Sequence, residues 1–122
     1  MSEAGKSGQT SVPFDLAGLN DLYGAETVSE LLQMSVNEAG ELLNQIHDGL
    51  TLHDSKIVMA AAHQLKGLAS TMTINELARI SMELEKAAKQ EQWDSLSNLE
   101  IKLKEEFEAV AKYVSVVLAQ QS

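Results

Sequence analysis

Apolar residues recur every three or four positions over most of this chain, and this spacing restricts the possible folds more than any other feature. Such a spacing places side chains on one face of an α-helix, whereas a half-buried strand requires strict alternation. The sequence contains no sustained alternating run of β-branched residues bounded by turns. The pattern therefore predicts an all-α protein.

Capping and turn residues mark the ends of the predicted helices. Asp15 and Asp54 are candidate N-caps, and Thr73 with Glu76 has the spacing of a capping box. The expected helices cover approximately residues 16–23, 25–50, 54–72, 73–88 and 93–117. Long helices joined by short connections pack most simply as an antiparallel four-helix bundle, here with a short extra N-terminal helix.

Each long helix has one apolar face, which we expect to be buried in a common core. The expected core positions are Leu32, Val36, Ala39, Leu43, Ile46 and Leu50, then Ile57, Ala61, Leu65, Leu68 and Met72, then Leu77, Ser81, Leu84 and Ala88, and finally Trp93, Leu96, Leu99, Leu103, Phe107, Val110, Val114 and Val117. We predict that the small and polar residues 1–13 form a flexible tail and that residues 14–122 form one domain.

Composition makes several classes of function improbable. The chain has no cysteine, which removes disulfides, thiolate metal sites and cysteine nucleophiles. Its net charge of −9 disfavours nucleic acids and anionic membrane surfaces as partners. No apolar run is long enough to cross a bilayer, and the first residues lack the apolar part of a signal peptide, so we expect a cytoplasmic protein.

One segment of the second long helix, AAHQLKGLAS at residues 61–70, contains a glycine that helix propensity does not explain. A glycine inside a helix costs about 1 kcal/mol relative to alanine. At about 100° per residue, His63 points away from the predicted core, and Gly67 lies one turn further along the same outward face. A glycine that faces outward cannot serve the approach of two core helices. It leaves an indentation beside the imidazole.

His63, Lys66 and Gly67 together have the chemistry of a phosphoryl acceptor. A neutral imidazole is a nucleophile, and a lysine one turn away can attract phosphoryl oxygens. Phosphoryl transfer depends on positioning and charge stabilisation more than on covalent machinery in the protein. Since most outward histidines on helices are inert, these three residues alone leave an inert surface histidine as an equal alternative.

The motif HQLKG at residues 63–67, on the second long helix of an all-α chain, resembles the signature of histidine-containing phosphotransfer (HPt) domains. The resemblance extends from about residue 14 to residue 117 and includes Leu84–Glu85 in the next helix. It implies a carrier that passes a phosphoryl group between aspartates of response-regulator receiver domains in multistep His-Asp phosphorelays. By this resemblance His63 would be phosphorylated, Lys66 would stabilise the phosphoryl oxygens, and Gly67 would clear space for the receiver.

The resemblance also implies a docking surface and a set of partners. Met59, Gln64 and Ser70, which surround His63 on the helix, would belong to this surface. The partners would be receiver domains, including that of a hybrid sensor histidine kinase, and the chain would act as a monomer. The sequence has no nucleotide-binding loop, kinase signature or acidic metal cluster. We therefore expect no ATP-dependent kinase activity and no cofactor, with Mg²⁺ held only by the partner receiver.

The chain departs from the HPt pattern at Thr73, where family members commonly have a second glycine. The predicted capping box with Glu76 offers a local reason, because the threonine would then end one helix and start the next.

The alternatives to a phosphorelay are a helical adaptor, a di-metal site and a hydrolase site. A non-catalytic helical adaptor that binds receiver domains or other signalling partners through the same face stays an open alternative. A di-metal site in the bundle would need Glu-x-x-His pairs, and none precedes His47, His53 or His63. Adjacency of His53, Asp54 and Ser55 does not make a hydrolase triad, and a loop followed by an aspartate cap explains them better.

Overall fold

The structure is a computed structural model that describes residues 12–121. Within this range the chain forms five helices and no strand: α1 Leu16–Tyr23, α2 Ala25–Thr51, α3 Ser55–Thr71, α4 Asn75–Lys89 and α5 Trp93–Gln121. The predicted all-α class is therefore confirmed. Most of the predicted tail, residues 1–11, lies outside the described residues, and the domain boundary after residue 13 stays a prediction.

The four long helices form an antiparallel bundle, and the short helix α1 packs against α2. Each long helix contacts two of the others: α2 and α4 both lie between α3 and α5. Connections of only a few residues produce this arrangement, because each helix must turn back along the one before it. None of the described helices combines the length and apolarity of a membrane span.

Asp15 and Asp54 cap α1 and α3, as the sequence predicted. The Asp15 carboxylate accepts a hydrogen bond from the backbone N–H of Gly18 at 3.0 Å. The Asp54 carboxylate accepts from the N–H groups of Lys56 and Ile57 at 3.1 and 3.3 Å. These bonds satisfy N–H groups that the first helical turn leaves unpaired, and each cap stabilises its helix by about 1 kcal/mol.

The predicted capping box at Thr73 and Glu76 is wrong. α4 begins only at Asn75, and Thr73 lies in the preceding turn with a positive φ of 60°. Its hydroxyl accepts a hydrogen bond from the backbone N–H of Asp15 at 2.9 Å, while Glu76 pairs with Arg79. Glycine adopts a positive φ without strain, which gives a physical reason for the glycine of the HPt pattern at this position. The backbone of Thr73 is strained by this positive φ. Its hydroxyl links the start of α1 to the α3–α4 turn.

The core is apolar apart from the buried side chains of Ser35 and Ser81. Its largest fully buried side chains are Leu19, Leu32, Ile46, Leu65, Leu77, Leu84, Leu96 and Leu103. The predicted inner face of α4 is confirmed, and on α5 all predicted positions are buried except Trp93, Leu99 and Phe107, which are half-buried against the core.

The buried faces of α2 and α3 are rotated relative to the prediction. On α2 the buried positions include Val28, Ser35 and Leu42, whereas Val36, Leu43 and Leu50 are half-buried; on α3 they include Val58, Ala62 and Ala69, whereas Leu68 is half-buried and Ile57 is exposed. Small residues lie on the faces that are actually buried, and they let α2 and α3 approach closely. At Gly49 an added Cβ would lie 2.7 Å from a methyl carbon of Val58, so α2 and α3 touch there with no space for a side chain.

Candidate functional site

His63 lies in the middle of α3 with its side chain in solvent. The side chain is 66% exposed, as the helical spacing predicted. Leu65 and Ala69 of the same helix are fully buried. Because successive residues rotate by about 100° around the axis, burial of that side leaves His63 facing away from the core.

Glu85 of α4 contacts both His63 and Lys66. Its Oε2 atom lies 3.1 Å from Nδ1 of His63, and its Oε1 atom lies 3.3 Å from Nζ of Lys66. The side chains of Glu85 and Lys66 are 27% and 34% exposed, so the ion pair is only partly shielded from water. Such pairs contribute up to about 1 kcal/mol to stability. The larger effect is that one carboxylate holds the imidazole and the ammonium group side by side.

The contact with Glu85 determines which ring nitrogen of His63 is available. An ionised carboxylate only accepts hydrogen bonds, so Nδ1 carries the ring proton and donates it to Oε2. Nε2, on the other side of the ring, then keeps its lone pair. The exposed imidazole is thereby held in the tautomer whose nucleophilic atom is Nε2.

Gly67 lies one turn beyond His63, and packing within this chain does not require a glycine there. A Cβ built at this position has no atom within 4 Å, and the residue is exposed. Gly49 is the opposite case, because it is buried and has no space for a side chain. The space beside His63 is therefore open to groups from outside the chain.

The three residues predicted for the docking surface differ in exposure. Gln64 and Ser70 are exposed on α3, whereas Met59, which a place in the docking surface would require to be exposed, is half-buried and packs against the core. Met82 on α4, one turn before Glu85, has 43% of its surface exposed and was not predicted. Neither was Glu85, although the Leu84–Glu85 pair was part of the resemblance. That pair was the one signal in the sequence that pointed to the contact.

His47 has the same kinds of neighbours as His63, a carboxylate and a lysine. Nδ1 of His47 on α2 lies 2.8 Å from Oε2 of Glu100 on α5, and Nζ of Lys104 lies 3.5 Å from the same oxygen. The His47 side chain is 57% exposed. The residue four positions further along its helix is Thr51, so His47 lacks the glycine that follows His63. It provides a natural comparison for the candidate site.

The remaining histidine, His53, has a different environment. It occupies the turn between α2 and α3 with a φ of 51°, and its ring packs on Trp93 with the ring centroids 4.6 Å apart. The neighbouring Asp54 carboxylate is engaged in capping α3. Among residues 12–121, no three or more histidine and acidic side chains are grouped so that they could hold a metal ion.

A family model of the Hpt domain matches residues 30–113, which include His63 and its partners on α3 and α4. The chain belongs to the Hpt domain family. As an Hpt domain it is a histidine-containing intermediate of multistep phosphorelays. Hpt domains work with response-regulator receiver domains and are phosphocarriers rather than kinases.

A solved structure with the same fold is histidine-containing phosphotransfer protein B (HptB) from Pseudomonas aeruginosa PAO1. The two structures match with a TM-score of 0.84 over 91% of this Hpt domain and 98% of HptB, at 24% sequence identity. The match supports the helical-bundle fold over nearly the whole of both chains. No curated protein sequence matches this Hpt domain at a significant level.

Proposed function

We propose that His63 is the residue of this Hpt domain that accepts and passes on the phosphoryl group. The observation that carries the proposal is the contact between Nδ1 of His63 and Glu85, next to the open position at Gly67. The contact leaves the lone pair on Nε2, and the glycine leaves space for a donor. Position within the HQLKG motif supports the same residue.

The proposed transfer needs no base in this chain. The Nε2 lone pair attacks the phosphorus of a receiver's aspartyl phosphate, a P–N bond forms, and the P–O bond to the aspartate breaks. The aspartate carboxylate leaves with the electron pair. The ring keeps its proton on Nδ1 and becomes positively charged, and Glu85 stabilises this charge through its hydrogen bond. The reverse reaction passes the group to the aspartate of another receiver.

The neighbouring residues have supporting roles in this proposal. Lys66 stabilises the phosphoryl oxygens, Gly67 gives steric clearance, and Met59, Gln64 and Ser70 contact the receiver. The receivers supply the Mg²⁺, and one of them can be part of a hybrid sensor histidine kinase. The proposal gives this chain no ATP-dependent kinase activity of its own. A monomeric state and a cytoplasmic location stay predictions from the sequence.

The first test is phosphoryl transfer from a panel of phosphorylated receiver domains to the wild type, to His63→Gln and to His47→Gln. His47 is the matched control, because it has the same kind of carboxylate and lysine neighbours but lacks the glycine. We expect an acid-labile, alkali-stable label on the wild type and on His47→Gln, and none on His63→Gln. Both side chains are exposed, so both variants should keep the helical circular dichroism of the wild type.

Two results would contradict the proposal. Label that persists on His63→Gln would move the acceptor to another residue. A receiver that binds the wild type without transferring phosphate would favour the alternative, a helical adaptor that uses the same face without accepting a phosphoryl group.

A further inference from the structure

The short helix α1 is attached to the rest of the structure mainly at its two ends. It has eight residues, and among the described helices it packs only against α2. A helix of this length is marginal in water on its own, so the contacts at its ends decide whether it stays on the bundle. One end is Gly24, the single residue between α1 and α2, which has a positive φ of 85°. Glycine changes its backbone angles at little steric cost, so Gly24 can act as a hinge.

The other end of α1 is held by Thr73. In a capping box, the backbone N–H of the N-cap residue is bound by a glutamate or glutamine three residues later. The N-cap of α1 is Asp15, and the residue three positions later is Gly18, where an added Cβ would collide with the Asp15 carboxylate. No side chain at position 18 can therefore bind this N–H group. The hydroxyl of Thr73, in the α3–α4 turn, accepts its hydrogen bond instead, at 2.9 Å.

Thr73 occupies a backbone position that usually belongs to glycine. The N–H of Ile74 donates to the carbonyl of Ala69 at 2.8 Å, which is the long hydrogen bond of a Schellman motif. The left-handed residue of this motif is commonly glycine, and a β-branched residue is strained there. The turns after α2 and α4 have the same bond pattern around His53 and Glu91, which also have positive φ. Three turns of this chain therefore carry the same kind of strain.

The side chains of the three left-handed residues differ in their contacts. The ring of His53 packs on Trp93, and the hydroxyl of Thr73 binds the start of α1. Glu91 is exposed, and its side chain forms no hydrogen bond or ion pair within residues 12–121. The strain at Thr73 therefore accompanies a tertiary contact that glycine would not provide, whereas Glu91 has the strain alone.

We propose that α1 is a hinged cover that Thr73 latches onto the bundle. When the latch opens, α1 turns away at Gly24 and exposes the buried side chain of Leu19, while α2 to α5 stay folded. The α3–α4 turn stays left-handed whether α1 is closed or open, so the strain does not affect the latch itself. Thr73→Gly should therefore stabilise the turn and loosen α1 at the same time. The inference is independent of the identity of the phosphoryl acceptor.

Native-state hydrogen exchange followed by NMR tests the latch, because it reports the opening of each helix separately. In Thr73→Gly we expect the N–H groups of α1 to exchange about three- to tenfold faster than in the wild type, since one hydrogen bond is lost. The N–H groups of α2 to α5 should exchange no faster, because relief of the strain offsets that loss. Thr73→Ser keeps the hydroxyl and should keep the wild-type exchange of α1. Glu91→Gly is the matched control, which relieves the same strain and should leave the exchange of α1 unchanged.

Three results would overturn the latch. The first is unchanged exchange of α1 in Thr73→Gly. The second is exchange that rises equally in all five helices, because α1 would then open only when the whole bundle unfolds. The third is exchange of α1 in Thr73→Ser that is as fast as in Thr73→Gly, because the hydroxyl would then not be the contact that holds the helix. Thr73→Gly should fold, since glycine is the usual residue of this turn.

Discussion

Glu85 is the residue through which α4 affects the chemistry of α3. It accepts the proton of His63 Nδ1 and brings Lys66 next to the ring, and in the proposed transfer it would offer a negative charge to the imidazolium that forms on phosphorylation. A carboxylate is suited to all three tasks, since it has two oxygens and accepts hydrogen bonds without donating any. Removing it should therefore affect the ring more than the fold.

We expect Glu85→Ala to slow phosphoryl transfer to His63 about tenfold, because a hydrogen bond to a charged group contributes on the order of 1.5 kcal/mol. Glu85→Gln should restore part of the rate, since its amide oxygen still accepts from Nδ1–H but has no charge. The ring nitrogens, observed by ¹⁵N NMR, should show mainly the Nδ1–H tautomer in the wild type and a mixture in Glu85→Ala. An unchanged tautomer in that variant would remove Glu85 from this role.

The sequence predicted that His63, Lys66 and Gly67 lie together because all three are on one helix, where the helical period fixes their relative positions. Glu85 is 22 residues away, and its contact depends on the register between α3 and α4, which no local pattern determines. Thr73 shows the same limit. Its hydroxyl binds the N–H of Asp15, 58 residues earlier, whereas the local pattern suggested a cap for the next helix.

At the level of the helices, the sequence pattern predicted each of the five helices in residues 12–121 but not every buried face. On α4 the large residues Leu77 and Leu84 mark the buried side clearly. On α3 the side chains at the centre of the buried face include Ala62 and Ala69, and small residues contribute little to an apolar pattern. The prediction therefore centred the buried face of α3 on the larger Ile57 and Leu68, which lie at its edge.

The two glycines on the neighbouring helices α2 and α3 should respond to alanine in opposite ways. Gly49→Ala should destabilise the fold by about 1–3 kcal/mol, because its Cβ would overlap a methyl group of Val58. Gly67→Ala should stabilise it by about 1 kcal/mol, because the helix gains propensity and the added methyl meets nothing. The free energy of unfolding in urea measures both changes.

Phosphoryl-transfer rates test the role of Gly67 separately from its effect on stability. Gly67→Ala should transfer more slowly than the wild type despite its higher stability, and a bulkier residue should slow transfer further. If Gly67→Ala and Gly67→Leu both transfer at the wild-type rate, Gly67 does not provide clearance for the receiver.

At the level of the whole molecule, two carboxyl groups with shifted pKa values, Glu106 and Glu76, make stability depend on pH. Burial raises the pKa of Glu106 on α5, and the charge of Glu76 on α4 raises it further. The hydrogen bond from Arg79 lowers the pKa of Glu76. A carboxyl group with a raised pKa binds more protons in the folded state than in the unfolded chain, so its contribution to the free energy of unfolding decreases as pH rises through that range. Glu76 contributes in the opposite sense, and its stabilisation is lost as the pH falls through its lowered pKa.

We expect Glu106→Gln to be more stable than the wild type at neutral pH, because it removes a half-buried negative charge that faces another. The difference should close as the pH falls below about 4, where the wild-type carboxyl is protonated in both states. Glu105→Gln, at an exposed neighbouring position, is the control and should change stability less. Thermal unfolding over a pH series measures this; a difference between Glu106→Gln and the wild type that persists at acid pH would refute the assignment.

The position of His63 on a single open helix face has a consequence for the rate of signalling. If the donor and the acceptor both reach Nε2 from this face, the domain holds one receiver at a time, and the donor must dissociate before the acceptor arrives. Very tight binding of either partner would then block the other, so throughput is highest at intermediate affinity. An excess of one receiver would act as a competitive inhibitor of the whole relay.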